Sequence, residues 1–273
     1  MQQSNGYIIG FAVACTIILG AMLSGAAVGL KETQDIAKDL DTKKQILGAV
    51  MEIKKGDNIS EIYAKRIKSL VVDADGSEKN NLVAEKIDIG KEYKKEASQR
   101  VLPVFQFVSE TDPNQVEAYI LPVYGNGLWD RIWGYLAVSP DLQSIKGVVF
   151  DHKAETPGLG ARISDKEIQE RYVGKKLYDN EGKLVSVTML KGEKGNTLTD
   201  HTVDGMSGAT LTGKGVNDML YKYLSYYQPY LDKVKKSKTL NDKVMPEIKV
   251  DSTQITTPDS VQVADSTKKI SMK

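Results

Sequence analysis

Cysteine occurs once in the 273 residues, at Cys15, so no intramolecular disulfide framework and no Cys-x-x-Cys metal site can form within this chain. Histidine occurs only at His152 and His201, and no paired metal ligands accompany them. Strong charge of either sign is missing too. Lys plus Arg (37) nearly balances Asp plus Glu (36), a net charge of +1, which excludes the strongly basic field that nucleic acid demands. No internal repeat and no Gly-x-Gly-x-x-Gly dinucleotide fingerprint are found. With so few reactive side chains, any chemistry is expected to come from a bound cofactor.

One long hydrophobic run is present. Residues 7–30 (YIIGFAVACTIILGAMLSGAAVGL) carry no charge and end at Lys31. As a helix they span about 36 Å, enough to cross a bilayer core with some tilt. The rival reading is a cleaved signal peptide, for which Ser24-Gly25-Ala26-Ala27 supplies small residues. Against it, residues 1–6 lack Lys or Arg and the run exceeds a usual signal core. Ala12-Val13-Ala14-Cys15 mimics a lipoprotein cleavage site but sits too early in the run. The expectation is an uncleaved anchor. Lys31, Lys38, Lys43 and Lys44 follow it, which by a simple count keeps the large domain in the cytoplasm. Long domains often cross regardless of that count, so charge leaves orientation open. Gly10, Ala14, Ala21 and Gly25 share one face, suited to close packing against another membrane helix.

Beyond the anchor, residues 35–55 and 59–71 read as helices, the second capped at Asp57-Asn58. The pattern then turns to short β-rich runs at 101–108, 118–124, 132–138 and 145–150, with a further candidate at 184–190. Turns of the type Asp-Pro-Asn, Gly-Asn-Gly and Ser-Pro-Asp separate them. Ser164-Asp165-Lys166-Glu167 has the reciprocal capping pattern of a short helix start. Residues 216–231 close the folded part as a helix, with Leu220, Tyr221, Leu224, Tyr227 and Leu231 on adjoining faces. From 233 onward no apolar periodicity remains, and a disordered tail is expected. The division predicted is an anchor (1–32), a helical N-terminal part (33–98), a core (99–231) and a tail (232–273), the soluble part being one α+β domain.

The segment with most chemical content is Asp204-Gly205-Met206-Ser207-Gly208-Ala209-Thr210-Leu211-Thr212, just ahead of that last helix. Small side chains admit a phosphate to the backbone, and the free N–H groups of a helix start favour an anion. The Thr210 hydroxyl is a covalent acceptor only if an outside enzyme activates it. The plain alternative is a tight turn before a helix. Two overlapping motifs fail. The phosphate-loop spacing at 208–214 places Gly215 where Ser or Thr must bind magnesium. The near-match to a nucleophile elbow at 205–209 ends in Ala209, and His201 precedes the serine.

A second segment is His152-Lys153-Ala154-Glu155-Thr156-Pro157-Gly158-Leu159-Gly160, directly after an apolar strand. Pro157-Gly158 fits the centre of a type II turn with positive φ at the glycine, and Thr156 should be extended. The turn offers an unhindered surface for a flat ring, or is an ordinary connection. His152 alone reads as a packing residue. Gly125-Asn126-Gly127-Leu128-Trp129-Asp130 reads as a glycine-rich hairpin turn, and on local grounds Trp129 is expected in the core.

Taken together, these motifs resemble covalent FMN-binding domains. The 125–129 segment and the N-terminal anchor narrow the likeness to the C-subunit family of bacterial sodium-translocating NADH:quinone oxidoreductases. The resemblance covers about residues 1–230. It implies a single transmembrane helix followed by an FMN-binding domain with a twisted, mainly antiparallel sheet flanked by helices. It further implies FMN joined to Thr210 by a phosphodiester, with Ser207, Gly208, Ala209, Leu211 and Thr212 around the phosphate. Glu155, Thr156, Leu159 and Gly160, with Leu128 and Trp129, are implied to flank the ribityl chain or the ring. The partners implied are the other membrane subunits of that complex and a maturing flavin transferase. The location implied is the cell inner membrane with the soluble domain on the periplasmic side, relaying electrons toward ubiquinone or another quinone during sodium export. The flavin subunit of the ferredoxin:NAD electron-transport complex is a paralogous alternative, which the Gly-Leu-Trp segment disfavours. An unmodified membrane-anchored scaffold is an alternative of another class.

Overall fold

A computed structural model of the chain describes residues 4–244. It begins with α1 (Asn5–Gly48), 44 residues capped by Ser4, whose Oγ accepts from the Tyr7 N–H. Expectation placed a break between the anchor and a second helix over 35–55. Instead α1 runs unbroken for ~66 Å, because Lys31-Glu32-Thr33-Gln34 contains no helix breaker. Its apolar run is long enough to cross a membrane by length and composition, and that window is not buried against the rest of the chain. Only its last turn is buried, through Ile46 and Leu47.

Next comes α2 (Ile59–Arg66), capped as expected by the Asn58 side chain, which accepts from the Glu61 N–H at 3.3 Å. The helix expected to reach residue 71 stops here. Ile67–Val72 forms strand β1 instead, because its β-branched residues pair antiparallel with β2 (Leu102–Val108). A short helix, α3 (Ile89–Tyr93), lies between them. The sheet continues through β3 (Val116–Asn126), β4 (Arg131–Val138) and β5 (Ile145–His152) in the order β1-β2-β3-β4-β5, antiparallel throughout.

Alternation along these strands feeds two cores, one on each sheet face. Leu102 and Val104, Tyr119, Leu121 and Val123, then Ile132 and Leu136 point to one face. Phe105 and Phe107, Ala118 and Ile120, then Ala137 point to the other, which is covered by Ile46 and Leu47 of α1 and Tyr63 of α2. The first face is covered by α5 (Thr210–Val244), whose Val216, Met219, Leu220, Tyr223, Leu224, Tyr227, Tyr230 and Leu231 recur every three or four residues. Tyr221, expected on the packed faces, is 51% exposed. The Tyr227 hydroxyl reaches between strands to donate to the carbonyls of Pro103 (2.8 Å) and Pro122 (3.2 Å), which fixes the height of α5 over the sheet.

Three local expectations change. The capping pattern at Ser164 does not form: α4 (Lys166–Glu170) starts after Asp165, and the Ser164 hydroxyl donates back to the Ala161 carbonyl. The candidate strand 184–190 reduces to β6 (Thr188–Met189), paired parallel to β7 (Thr202–Val203), with positive φ at Ser186 interrupting it. The last helix starts six residues earlier than expected and continues past 232 to Val244. Residues 245–273 of the expected tail lie outside the described residues. Met1–Lys236 form one unit and Ser237–Lys273 a second.

Candidate functional site

The start of α5 is built by two buried side chains, Met206 and Ala209, which press the segment onto the core. Between and after them Ser207, Gly208, Thr210 and Leu211 are left exposed. The Ala209 N–H donates to the Met206 carbonyl (3.2 Å), closing a turn in which Gly208 takes φ +72°. A side chain at 208 meets Leu159 Cδ2 at 2.9 Å, so glycine suits the close approach of the two loops as well as the turn. Thr210 then opens the helix, where first-turn amides have no intrahelical acceptor and the helix dipole favours an anion.

Two threonines lie within reach of that helix start, and their surroundings differ. Thr212 is 1% exposed, and its hydroxyl donates to Glu155 Oε2 at 2.6 Å. Thr210 is exposed. The hydroxyl open to an incoming group is therefore that of Thr210, while that of Thr212 is committed to the interior.

Glu155 brings the remaining segments in. Glu155 is buried, and its Oε1 accepts from the Trp129 N–H at 2.9 Å. Its own N–H donates to His152 Nδ1 at 3.3 Å, so His152 serves local packing, as its isolation in sequence suggests. Beyond it, the Thr156 carbonyl accepts from the Leu159 N–H (3.1 Å) across Pro157-Gly158, with Gly158 at φ +74°. This is the positive-φ turn that the sequence leads one to expect.

The hairpin tip between β3 and β4 is closed by the Gly127 N–H on the Asp130 carbonyl at 2.8 Å. Trp129 is not in the core: it is 69% exposed, held by donation from Nε1 to Thr156 Oγ1 at 3.2 Å. The tip is too short to fold an indole back over the sheet. Leu128, Trp129, Leu159 and Leu211 are thus exposed apolar side chains on three neighbouring segments. All twelve residues singled out from sequence lie on the hairpin tip, the 155–160 turn or the start of α5, and Glu155 and Leu159 join the three.

Sequence reasoning missed the support beneath the segment 204–208. Arg162 makes a two-pronged ion pair with Glu193, both bonds 2.8 Å, and Arg171 Nη2 adds a third at 2.7 Å. Arg171 Nη1 donates to the Gly205 carbonyl at 2.8 Å, and the Ser207 N–H leans on Glu193 Oε2 at 3.4 Å. A lone acid between Gly192 and Gly195 was the only available signal. Hydrogen bonds from Arg162 and then Arg171 hold the Glu193 carboxyl far below the usual carboxylate range. A depressed folded value means that stabilisation is present above the ordinary value of 4.5 and fades as pH falls below it. Glu193→Gln is expected to lower Tm by about 2–6 °C at pH 7. In thermal scans from pH 7 to pH 3, the gap to the unsubstituted chain should be constant above about pH 4.5 and narrow progressively below it. A gap independent of pH assigns the loss to shape rather than charge.

A groove of about 670 Å³ lies elsewhere, between the end of α1, β5 and α4, and shares no residue with this site. No cluster of three or more metal-ligating side chains occurs among the described residues. The geometry does suit a flavin phosphate. It combines an accessible hydroxyl, first-turn amides, a glycine where a side chain closes the approach, and exposed apolar side chains for a flat ring.

Comparison with known proteins points the same way. Residues 127–225 match the family model of the FMN-binding domain. The chain is 36% identical over 240 residues to the C-subunit of the Na(+)-translocating NADH-quinone reductase of Haemophilus ducreyi, covering 82% of this chain and 91% of that protein. It is 32% identical to the C-subunit of the same reductase in Neisseria meningitidis serogroup A, covering 82% and 92%. The crystal structure of the corresponding C-subunit from Parabacteroides distasonis superposes with a TM-score of 0.65 at 33% identity, covering 74% of this chain and 96% of that one.

Proposed function

Because the chain belongs to the C-subunit family of Na(+)-translocating NADH-quinone reductases, a family of flavoproteins, we propose that it carries one FMN as a phosphodiester on Thr210 Oγ. In this reading the chain relays electrons between partner subunits and does not itself oxidise NADH, for which it has no dinucleotide fingerprint. The observation that carries the attachment point is the contrast between the exposed Thr210 hydroxyl and the buried, bonded one of Thr212. Family membership also sets aside the ferredoxin:NAD paralogue.

The bound flavin supplies reversible electron transfer. The chain's residues hold it. The first-turn amides of α5 face the remaining negative charge of the diester, and Ser207 and Gly208 leave room for it. Trp129, Leu128, Leu159 and Leu211 offer apolar surface to the ring and the ribityl chain. Residues 1–32 anchor the chain in the inner membrane, with the soluble part on the periplasmic side. That side gives the tether its reason. No FMN pool there replaces a dissociated cofactor, whereas an ester keeps one per chain. The other proteins of the complex couple the electron flow to quinone reduction and sodium export. A flavin transferase supplies the activated flavin during maturation.

The test is the intact mass of chain produced together with a flavin transferase. The expected gain is one FMN less one water, with flavin fluorescence that survives denaturing electrophoresis. An unmodified mass from the native membrane returns the chain to the scaffold reading.

A further inference from the structure

We propose that Glu155 is a positioning residue of the flavin site: it joins the three site segments from inside and sets their separation without touching the flavin. The inference rests on the flavin reading above. Glu155 is only 4% exposed, and each of its carboxyl oxygens takes a donor from a different segment. Oε1 is held by the Trp129 N–H of the hairpin tip at 2.9 Å, and Oε2 by the Thr212 hydroxyl of α5 at 2.6 Å. The residue itself directly precedes the Thr156–Leu159 turn. One side chain therefore spans all three pieces, and no other side chain does so among the described residues.

Two glycines enclose it. A Cβ at Gly160 lies 2.5 Å from both Glu155 Oε2 and Thr212 Oγ1. A Cβ at Gly127 collides with Glu155 Oε1 and stands 2.9 Å from its carboxyl carbon. Glycine backbone is thus packed close to both oxygens of a residue that is almost wholly buried. The surface consequence lies one bond away. Trp129, whose N–H the carboxyl holds, presents its indole outward and tethers it to Thr156, the residue next to Glu155. Moving the carboxyl moves the Trp129 wall relative to the Thr210 end of the site.

The experiment compares Glu155→Ala, Glu155→Gln and Thr212→Val with the unsubstituted chain, in two forms. In the unmodified chain, amide hydrogen exchange at Trp129 should quicken about tenfold or more in Glu155→Ala, since a buried bond is lost. Glu155→Gln should stay near the unsubstituted rate, because its amide can accept from Trp129 and donate to Thr212 Oγ. In the FMN-bearing chain, flavin fluorescence anisotropy should fall in Glu155→Ala, fall less in Thr212→Val, and recover in Glu155→Gln. A Glu155→Ala chain with unsubstituted exchange and anisotropy overturns the proposal. So does a Glu155→Gln chain as loose as Glu155→Ala. If Glu155→Ala does not fold, Thr212→Val decides, since it severs only the α5 limb, and unchanged anisotropy there refutes the role. Should the unsubstituted chain never acquire FMN, the exchange arm still reads the positioning claim and the flavin reading alone falls.

Discussion

Replacing Thr210 by valine is expected to leave the chain colourless and without the mass of FMN, while its Tm stays within about 1–2 °C. Valine keeps the shape of threonine and removes only the hydroxyl. That side chain is exposed at a helix start, so its loss removes no buried contact. The matched variant Thr212→Val should behave in the opposite way. It leaves Oε2 of the buried Glu155 without its donor, at a cost of about 1–3 kcal/mol, yet it should still carry FMN on Thr210. The pair separates chemistry from stability within two residues of one helix. Intact mass and thermal scans on both variants, produced with the transferase, read it directly. FMN mass retained in Thr210→Val moves the acceptor to another hydroxyl, Ser207 or Thr212, and removes the central assignment.

Gly215→Ala is expected to be strongly damaging for a single added methyl group. Here α5 crosses the end of β3 so closely that a Cβ at 215 collides with the Asn126 carbonyl oxygen and lies 3.3 Å from Gly127 Cα. The obstacle is backbone, itself paired into the sheet through Asn126 and Arg131. It cannot rotate away, so the helix must lift. Overpacking of this kind costs about 1–3 kcal/mol or more, against a helix-propensity gain of roughly 1 kcal/mol. The net expectation is a Tm lower by as much as about 8 °C. Flavin loading should also fall, because the start of α5 is displaced from the hairpin tip. Gly213→Ala is the control. There the nearest obstacle is the Met189 sulfur at 2.9 Å, the end of a flexible side chain, and less than half the effect is expected. Equal losses in both variants mean that glycine matters here for reasons other than the crossing.

The anchor, four of the five sheet strands and the capped start of α2 were legible because each rests on local rules: an uncharged run, alternation, an Asn cap. Where local rules failed, a distant partner had decided. Ile67–Val72 is a strand because β2 pairs with it, although its charged flank reads as helix. Trp129 is outside because a four-residue tip cannot return it to the core.

The sequence by itself determined which functional groups are available: one anion-friendly helix start, a positive-φ turn, an indole at a hairpin tip, and three hydroxyls at Ser207, Thr210 and Thr212. Only the tertiary structure buried the Thr212 hydroxyl, left those of Ser207 and Thr210 exposed, and joined the three segments. The side chains that do this, Glu155 from within and Glu193 with Arg162 and Arg171 from beneath, meet partners far away in the chain. Spacing along a sequence carries periodicity within an element. It does not carry the distance between a buried carboxyl group and donors 26 and 57 residues away.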